Sequence, residues 1–141
     1  MRAKGRNTDV DIPQRQSNAR RCQFVQLINR TDRYWMDILG DKLFHDLNYY
    51  DLFTQMWLKH NHIFHKSELH QLMPNVSQRT AIKYVQIAID HGLLIEHTDP
   101  EDLRSKRITM SSGLKRKIER FLDYSISVFE AFPAPDPDQA T

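Results

Sequence analysis

The chain has 141 residues, of which 40% are apolar and 27% are charged, and its formal net charge is +2. These values are ordinary for a single soluble globular domain, and they give no global field that would attract a polyanion. No apolar run approaches the roughly 18–20 residues that cross a membrane, and the N-terminus has no apolar signal core. The single cysteine excludes an intrachain disulfide and a multi-cysteine zinc finger. We therefore expect a cytoplasmic protein with no membrane partner.

Basic charge is concentrated near the start of the chain. Residues 1–33 carry eight Lys and Arg against three Asp. Residues 1–16 lack apolar periodicity, so we predict a disordered basic arm there, which is either simply solvated or available to phosphates. Residues 133–141 are rich in proline and aspartate, and we predict a disordered tail. The folded domain is then expected to span residues 17–132.

The first predicted helix spans residues 17–40. Phe24, Ile28 and Trp35 lie on one apolar stripe of it, and Gly40 is a suitable stop. A second helix is predicted from Leu47, with Asn48 as its cap, Asp51 completing a capping box and Leu47 packing on Leu52 as a hydrophobic staple. It carries the apolar residues Phe53, Met56, Trp57 and Leu58.

The next segment has the spacing of a helix-turn-helix motif. A short helix is predicted over Lys66–Leu72, after a one-rung strand at Ile63–Phe64, and a turn of about four residues follows. Ser77 is a strong N-cap for a longer second helix, which ends at Gly92. Its buried face is predicted to consist of Ala81, Tyr84, Val85 and Ala88. Such a second helix is the recognition helix of DNA-binding proteins.

A wing is predicted after the recognition helix. Residues 93–95 are apolar and partly branched, residues 98–105 form a polar turn, and residues 106–110 alternate as a half-exposed strand does. Ser111 or Ser112 then caps a last helix, predicted over residues 111–132. The expected fold class is therefore mainly α with a small β-wing, in which a winged helix-turn-helix is flanked by the two outer helices.

The apolar stripes of the outer helices, residues 17–40 and 111–132, are longer than one small core can cover. An uncovered apolar stripe of that length requires a partner, and a second copy of the chain is the simplest one. We therefore predict a two-fold homodimer in which these helices form the interface. Such a dimer would present two recognition helices to a pseudo-palindromic DNA site.

Several motifs follow one another in order between residues 67 and 113. Ser67–Leu69 reads S-E-L, and Ser77, Thr80, Val85 and Gly92–Leu93 give S-x-x-T, an apolar core position and a terminal G-L. Residues 99–105 read D-P-E-D-L-R-S, and Ser111 with Gly113 opens the next helix. These motifs resemble those of the MarR family of bacterial winged-helix transcription regulators. The resemblance implies a dimeric DNA-binding regulator, often a repressor that a small ligand releases.

The outward face of the recognition helix supplies the candidate major-groove residues. Gln and Arg suit bidentate contacts to base edges, an isoleucine suits a thymine methyl, and a lysine suits a phosphate. The alternative is a solvated helix face, or plain packing for the isoleucine. The candidates are Gln78, Arg79, Ile82, Lys83 and Gln86.

In the wing, Arg104 resembles the family's minor-groove arginine, which a narrow A·T-rich groove attracts. Asp102 is expected to orient it, although the pair could equally be a loose surface ion pair. Lys106 and Arg107 are candidates for contacts to the DNA backbone. The wing acids repel phosphate, so the wing is expected to meet DNA by its basic side.

An effector site is a further hypothesis. An aromatic cleft lined by Trp35, Tyr49, Tyr50, Phe53 and Trp57 could hold a small ligand, but the same residues could be plain core. Some members of the resembled family sense organic peroxide through a cysteine early in the first helix, near tyrosines of a neighbouring helix. Cys22 lies beside two arginines, which favours a thiolate, and Tyr49 and Tyr50 open a nearby helix, so redox sensing by Cys22 is one hypothesis. The alternative is that Cys22 is a small buried apolar residue.

No arrangement of catalytic residues or glycine-rich phosphate loop stands out, so we expect no enzyme activity. Four of the seven histidines, at positions 60, 62, 65 and 70, lack a spacing that fixes a tetrahedral site, and we expect no metal and no cofactor. The first hypothesis is a homodimeric transcription regulator that binds double-stranded DNA and responds to a small-molecule effector. The alternative is a winged-helix module that binds another protein without reading DNA.

Overall fold

The computed structural model describes residues 14–135, so the first 13 residues of the predicted arm and residues 136–141 of the predicted tail lie outside it. Five helical segments longer than a single turn and three short strands follow one another in the described chain. In order they are α1 (Asn18–Leu39), a 3-10 turn η1 (Lys42–His45), α2 (Leu47–Leu58), β1 (Phe64–His65), a 3-10 helix η2 (Lys66–Leu72), α3 (Gln78–Asp90), β2 (Leu94–Thr98), β3 (Lys106–Met110) and α4 (Ser112–Glu130). The predicted fold class, mainly α with a small β-wing, is confirmed. None of the described helices is both long and apolar enough to cross a membrane.

Three serines begin the long helices and two glycines follow them, as the sequence predicts. The hydroxyls of Ser17, Ser77 and Ser111 accept hydrogen bonds from the backbone amides three residues later. Gly40 and Gly92 have φ values of 76° and 75°. A side chain would strain this left-handed conformation, which closes a helix end.

The predicted cap of α2 is wrong by two residues. Asp46 is the N-cap, and its Oδ1 accepts a hydrogen bond from the Asn48 backbone amide at 2.7 Å. The Asn48 side chain donates to the same oxygen at 2.8 Å instead of capping the helix itself. Leu47 is exposed, so it does not form the predicted staple with Leu52, which is fully buried. A charged carboxylate one residue before the helix is the stronger acceptor for its free amides.

The first segment of the helix-turn-helix has the predicted bounds but a different geometry, because Lys66–Leu72 is a 3-10 helix and not an α-helix. With three residues per turn, Leu69 and Leu72 lie on one edge of the segment. Leu69 is fully buried and Leu72 is partly buried. Glu68 Oε1 accepts the backbone amide of His65 at 3.0 Å, which stabilises the start of the segment.

The three strands form one antiparallel sheet in the order β1-β3-β2. Ile108 of β3 lies between Phe64 of β1 and Glu96 of β2 in register. The first wing strand begins at Leu94 and extends to Thr98, beyond the predicted residues 93–95. The longer hairpin arises because Glu96, His97 and Thr98 pair with β3 although they are polar. The wing therefore projects further from the core than the apolar run alone indicates.

Helix α2 contributes four buried side chains to the core. Trp35 of α1 packs on Phe53, and Tyr84 of α3 stacks on Tyr49. From the recognition helix α3, Ala81, Val85 and Ala88 are buried, as predicted, whereas Tyr84 of the same predicted face is only partly buried. The buried core also contains Tyr49, Leu52, Phe53, Met56, Leu69, Met73, Leu94, Ile108, Leu114, Ile118 and Phe121.

The two outer helices, α1 and α4, pack against each other within the chain. The Phe24 ring lies 5.8 Å from Phe129 and 5.2 Å from Phe132, and the Tyr34 and Tyr124 rings stack at 4.2 Å. The Arg20 guanidinium lies 4.3 Å from the centroid of the Phe132 ring. Part of each predicted apolar stripe is thus covered by the other helix. Apolar side chains nevertheless stay exposed on this pair, namely Phe24, Val25, Met36, Ile126 and Phe129.

Candidate nucleic-acid interface

The recognition helix α3 exposes one polar face. Successive residues of an α-helix are separated by 100°, so burial of Ala81, Val85 and Ala88 directs other positions to solvent. The exposed positions include all five predicted major-groove residues, Gln78, Arg79, Ile82, Lys83 and Gln86. A basic and amide-rich face of this kind can contact both phosphates and base edges.

Two tyrosine hydroxyls connect the recognition helix to α2 and to the residue that caps it. The Tyr84 hydroxyl donates to Asp46 Oδ2 at 2.9 Å, and the Tyr49 hydroxyl donates to the backbone oxygen of Tyr84 at 2.8 Å. The two rings stack at 4.8 Å. The hydrogen bond to Asp46 raises the pKa of Tyr84, and burial together with the neighbouring Tyr84 and Asp46 raises that of Tyr49. Both hydroxyls therefore stay protonated and fix α3 to the start of α2.

Gln86 differs from the other four residues of the exposed face because both ends of its amide are occupied within the chain. Lys66 Nζ donates to Gln86 Oε1 at 2.8 Å, and Gln86 Nε2 donates to Asp90 Oδ1 at 2.9 Å. Lys66 also forms an ion pair with Glu96 of the wing strand β2, with 2.6 Å between Nζ and Oε2. A base contact by Gln86 would require these bonds to exchange.

The turn of the wing is shaped by its own aspartates. Asp99 Oδ1 accepts the Glu101 amide at 2.9 Å, and Asp102 Oδ1 accepts the Arg104 amide at 3.1 Å. The Arg104 side chain is 96% exposed, and its Nε lies 3.8 Å from Asp102 Oδ1. Asp102 thus orients the backbone at Arg104 more than it holds the guanidinium, whose ion pair is loose. The arginine side chain is free to enter a groove.

An open cleft of about 360 Å³ separates the recognition helix from the wing. Ile82 lines it from α3, and Arg104, Ser105 and Lys106 line it from the wing; His65, Lys66 and Ser67 line its third side. Lys106 Nζ donates to Thr98 Oγ1 at 3.0 Å across the hairpin. His65, Lys66 and Ser67 were not predicted to belong to the site. The antiparallel pairing of His65 with Arg107 brings them there, and no local pattern in the sequence indicates that pairing.

The side chain of Arg107 points to the opposite face of the sheet from that of Lys106. Neighbouring strand residues alternate between faces, and Lys106 lines the cleft. In register, Arg107 lies between His65 of β1 and His97 of β2. Its Nε is buried and has no hydrogen-bond partner within residues 14–135. Arg107 therefore shares a sheet face with His65 and His97 and not with Lys106.

The predicted aromatic cleft is part of the core. Trp35, Tyr49 and Phe53 are almost completely buried, and the Trp35 ring packs on Tyr50 at 4.9 Å and on Phe53 at 6.5 Å. These contacts fill the space that the cleft hypothesis left for a ligand. Burial and the charges of nearby aspartates raise the pKa of Tyr50. Trp57 lies apart from them, and its indole Nε1 donates to Glu119 Oε2 at 3.1 Å.

Cys22 is exposed near the start of α1 and is not buried as the apolar alternative required. Tyr50 packs on Trp35, and Trp35 lies 13 residues after Cys22 along α1. That separation corresponds to about 20 Å of helix rise. Within one chain, the structure does not bring Cys22 to the tyrosines that the redox hypothesis requires.

The histidines are dispersed over the surface. His62 Nε2 lies 3.5 Å from Glu68 Oε1, whereas His60 and His70 contact backbone oxygens of their own segments. The hydrogen bond from the His65 amide lowers the pKa of Glu68. In the part of the chain that the structure describes, no group of three or more His, Cys, Asp or Glu side chains is arranged to hold a metal ion.

The fold is shared with solved transcription regulators. The transcriptional regulator Tm0710 from Thermotoga maritima superposes with a TM-score of 0.52 at 14% identity, over 81% of this chain and 78% of that one. The heme sensor protein PefR from Streptococcus agalactiae, solved with heme, gives a TM-score of 0.53 at 16% identity, over 89% of this chain and 85% of that one. The sequence itself matches no protein-family model and no curated protein. The similarity confirms the winged-helix fold that the MarR-like motifs implied.

Proposed function

We propose that the protein is a sequence-specific regulator of transcription that binds double-stranded DNA as a homodimer. The observation that carries the proposal is the position of Arg104. Its exposed guanidinium lies across one open cleft from Ile82 on the exposed face of the recognition helix. This geometry suits a helix in the major groove and a wing arginine in the adjacent minor groove.

The charges on this surface favour a polyanion although the whole chain is nearly neutral. Arg79 and Lys83 are exposed on α3, and Arg104 is exposed on the wing. Two wing carboxylates, those of Asp99 and Asp102, accept backbone amides of the turn. One oxygen of each carboxylate is thereby directed at the backbone of the wing itself. The basic side chains therefore dominate the surface that would face DNA phosphates.

The homodimer is proposed from the uncovered apolar residues of the outer helices. Val25 of α1 and Ile126 of α4 are more than half exposed, although each belongs to the helix pair that packs internally. A two-fold interface over this face would bury both and would place two recognition helices on one DNA duplex. Half-sites about one helical turn apart are then expected.

We also propose that a small effector modulates binding, as a ligand can when it favours one arrangement of the two recognition helices. PefR, which has a similar fold, is described as a heme sensor. Of the five aromatic residues that the sequence suggested, Trp57 lines an open groove of about 180 Å³, together with Met56, Phe64, Ile108 and Lys115 among others. This groove is the better candidate for an effector.

A protein-binding module is the second candidate function. The observation in its favour is that apolar side chains are exposed at the two points that would otherwise meet DNA, Ile82 on α3 and Leu103 at the tip of the wing. Both would suit a protein partner as well as a thymine methyl or a sugar edge.

Selection of bound sequences from a random duplex library tests the proposed function. A two-fold symmetric consensus is expected, and the affinity for it should fall steeply with added salt as counterions are released. Failure to bind any duplex at about 50 mM salt would exclude DNA readout and favour the protein-binding module. A consensus without two-fold symmetry would contradict the homodimer but not DNA binding.

A further inference from the structure

We propose that Lys66 and Glu96 are positioning residues that fix the wing relative to the recognition helix and so set the DNA sequence that the protein prefers. The inference rests on the proposed function, because it concerns how two parts of one DNA-binding surface are aligned. Neither residue is among those that the sequence marked as DNA-binding.

The contacts of Lys66 join three structural elements. The residue belongs to η2, its Nζ lies 2.6 Å from Glu96 Oε2 of β2, and the same nitrogen donates to Gln86 Oε1 of α3 at 2.8 Å. Gln86 in turn donates to Asp90 Oδ1 one helical turn further along α3. A single ammonium group therefore connects the first segment of the helix-turn-helix, the recognition helix and the wing.

The pairing of the strands places the Lys66–Glu96 ion pair across the sheet, and we call this ion pair the brace. Lys66 directly follows β1, whose His65 pairs with Arg107 of β3, while Glu96 of β2 pairs with Ile108 of the same strand. The ion pair thus crosses β3 from one outer strand to the other. Because β3 is held on both sides, the hairpin cannot rotate away from the core without separating Lys66 from Glu96.

Burial makes the brace effective. The side chains of Lys66 and Glu96 are each 29% exposed, so water screens their attraction less than it screens an exposed pair. Removal of one partner would leave the other charged group partly buried and unpaired. By contrast, the ion pair between Arg104 and Asp102 at the wing tip is long and open to solvent. The base of the wing is therefore held by a partly buried ion pair, whereas its arginine is not.

The main alternative is that Lys66 contacts a DNA phosphate and that Glu96 only competes for it. The two readings predict opposite effects of Glu96→Gln. This substitution makes the protein more positive, so simple electrostatics predicts tighter DNA binding and a steeper salt dependence. Loss of a positioning brace predicts weaker binding to the selected site despite the added positive charge.

The test measures binding of the wild type, Glu96→Gln and Glu101→Gln to the selected DNA site. Glu101 is an exposed acid of the same wing, so its variant is a control with the same change of charge. We expect Glu96→Gln to lose roughly tenfold in affinity for the selected site and to discriminate less against base changes in the A·T-rich segment that the wing would contact. Glu101→Gln should bind as tightly as the wild type or more tightly. Unchanged or tighter binding by Glu96→Gln would overturn the proposal.

Two further measurements separate this proposal from loss of folding and from failure of the proposed function. The charge-reversed pair Lys66→Glu with Glu96→Lys should restore selectivity that either single reversal removes. Amide hydrogen exchange without DNA should be faster in β2 and β3 of Glu96→Gln, with the core helices unchanged. If the wild type bound no DNA, faster exchange in Glu96→Gln would still establish the brace. Only the proposed role of the brace in DNA specificity would then be refuted. Unchanged exchange would refute the brace itself.

Discussion

The hydroxyl of Tyr84 lies 2.9 Å from Asp46 Oδ2, so a side chain of the recognition helix donates a hydrogen bond to the residue that caps α2. Asp46 accepts the Asn48 amide through its other oxygen. One carboxylate therefore begins α2 and also fixes the position of α3. The orientation of the recognition helix depends on a residue outside the helix-turn-helix segment.

Tyr84→Phe should lower the free energy of unfolding by about 1 kcal/mol, because it removes this hydrogen bond and keeps the ring. Urea unfolding followed by circular dichroism measures the change. Tyr34→Phe is the matched control, since the Tyr34 ring stacks on Tyr124 and its hydroxyl has no hydrogen-bond partner within residues 14–135. Equal losses in both variants would contradict a specific role for the bond to Asp46.

Stability should fall in alkaline solution. The pKa values of Tyr49 and Tyr84 are raised in the folded protein, by burial first for Tyr49 and by the hydrogen bond to Asp46 first for Tyr84. Their stabilising contribution is complete below the unfolded pKa of about 10 and is lost as the pH rises through the folded values. Urea unfolding from pH 8 to pH 11 should show a steeper fall for the wild type than for Tyr84→Phe. Identical slopes would contradict the raised pKa of Tyr84.

Phe53→Ala should lower the free energy of unfolding by about 3–5 kcal/mol, because it empties part of a close-packed core. Leu58→Ala on the same helix is the control, since Leu58 is 63% exposed, and its cost should stay within about 0.5 kcal/mol. Urea denaturation gives both values. A small loss for Phe53→Ala would instead support the ligand cleft that the sequence suggested.

Sequence reasoning succeeded where the cause of a structure is local. Ser17, Ser77 and Ser111 begin helices, and Gly40 and Gly92 follow them, because each acts on backbone groups within a few residues. Apolar spacing also identified the buried face of α3. The same spacing did not separate a cleft from a core around Trp35 and Phe53, since an aromatic stripe is identical in both cases.

The remaining features depend on contacts between distant residues. Lys66 meets Gln86 and Glu96 only because η2, α3 and β2 converge. Gln86 was therefore predicted to be a free base-reading residue, although its amide is engaged at both ends. The face of the sheet on which Arg107 lies depends on strand register, and the sequence left that register undetermined.

Replacement of the two candidate groove arginines should weaken specific binding. Arg79→Ala and Arg104→Ala are each expected to cost about 1–3 kcal/mol in binding free energy. Titration of the selected duplex by fluorescence anisotropy measures this cost. Arg33→Ala, an exposed arginine of α1, is the control for loss of one positive charge. If all three variants bound alike, Arg79 and Arg104 would not be groove-reading residues.

A charge placed on the proposed dimer face should dissociate the dimer. Ile126→Lys puts an ammonium group on the exposed face of α4 and is expected to yield monomers, because burial of an unpaired charge is strongly unfavourable. Ile63→Lys is the control, since Ile63 is 61% exposed and belongs to neither outer helix. Sedimentation equilibrium distinguishes the two states. A dimer that persists in Ile126→Lys would place the interface elsewhere.

The contact of Arg20 with Phe132 brings the beginning and the end of the described chain together, and the Arg20 guanidinium also donates to the backbone oxygen of Pro133. Residues 14–17 and 133–135 line one shared hollow. The two ends of the described chain therefore lie close together. A short peptide could join residue 135 to residue 14, and new ends could be opened at the exposed turn around Asn61, as exposed loop tips generally tolerate. Such a ring would lock α1 onto α4 and leave the recognition helix and wing untouched.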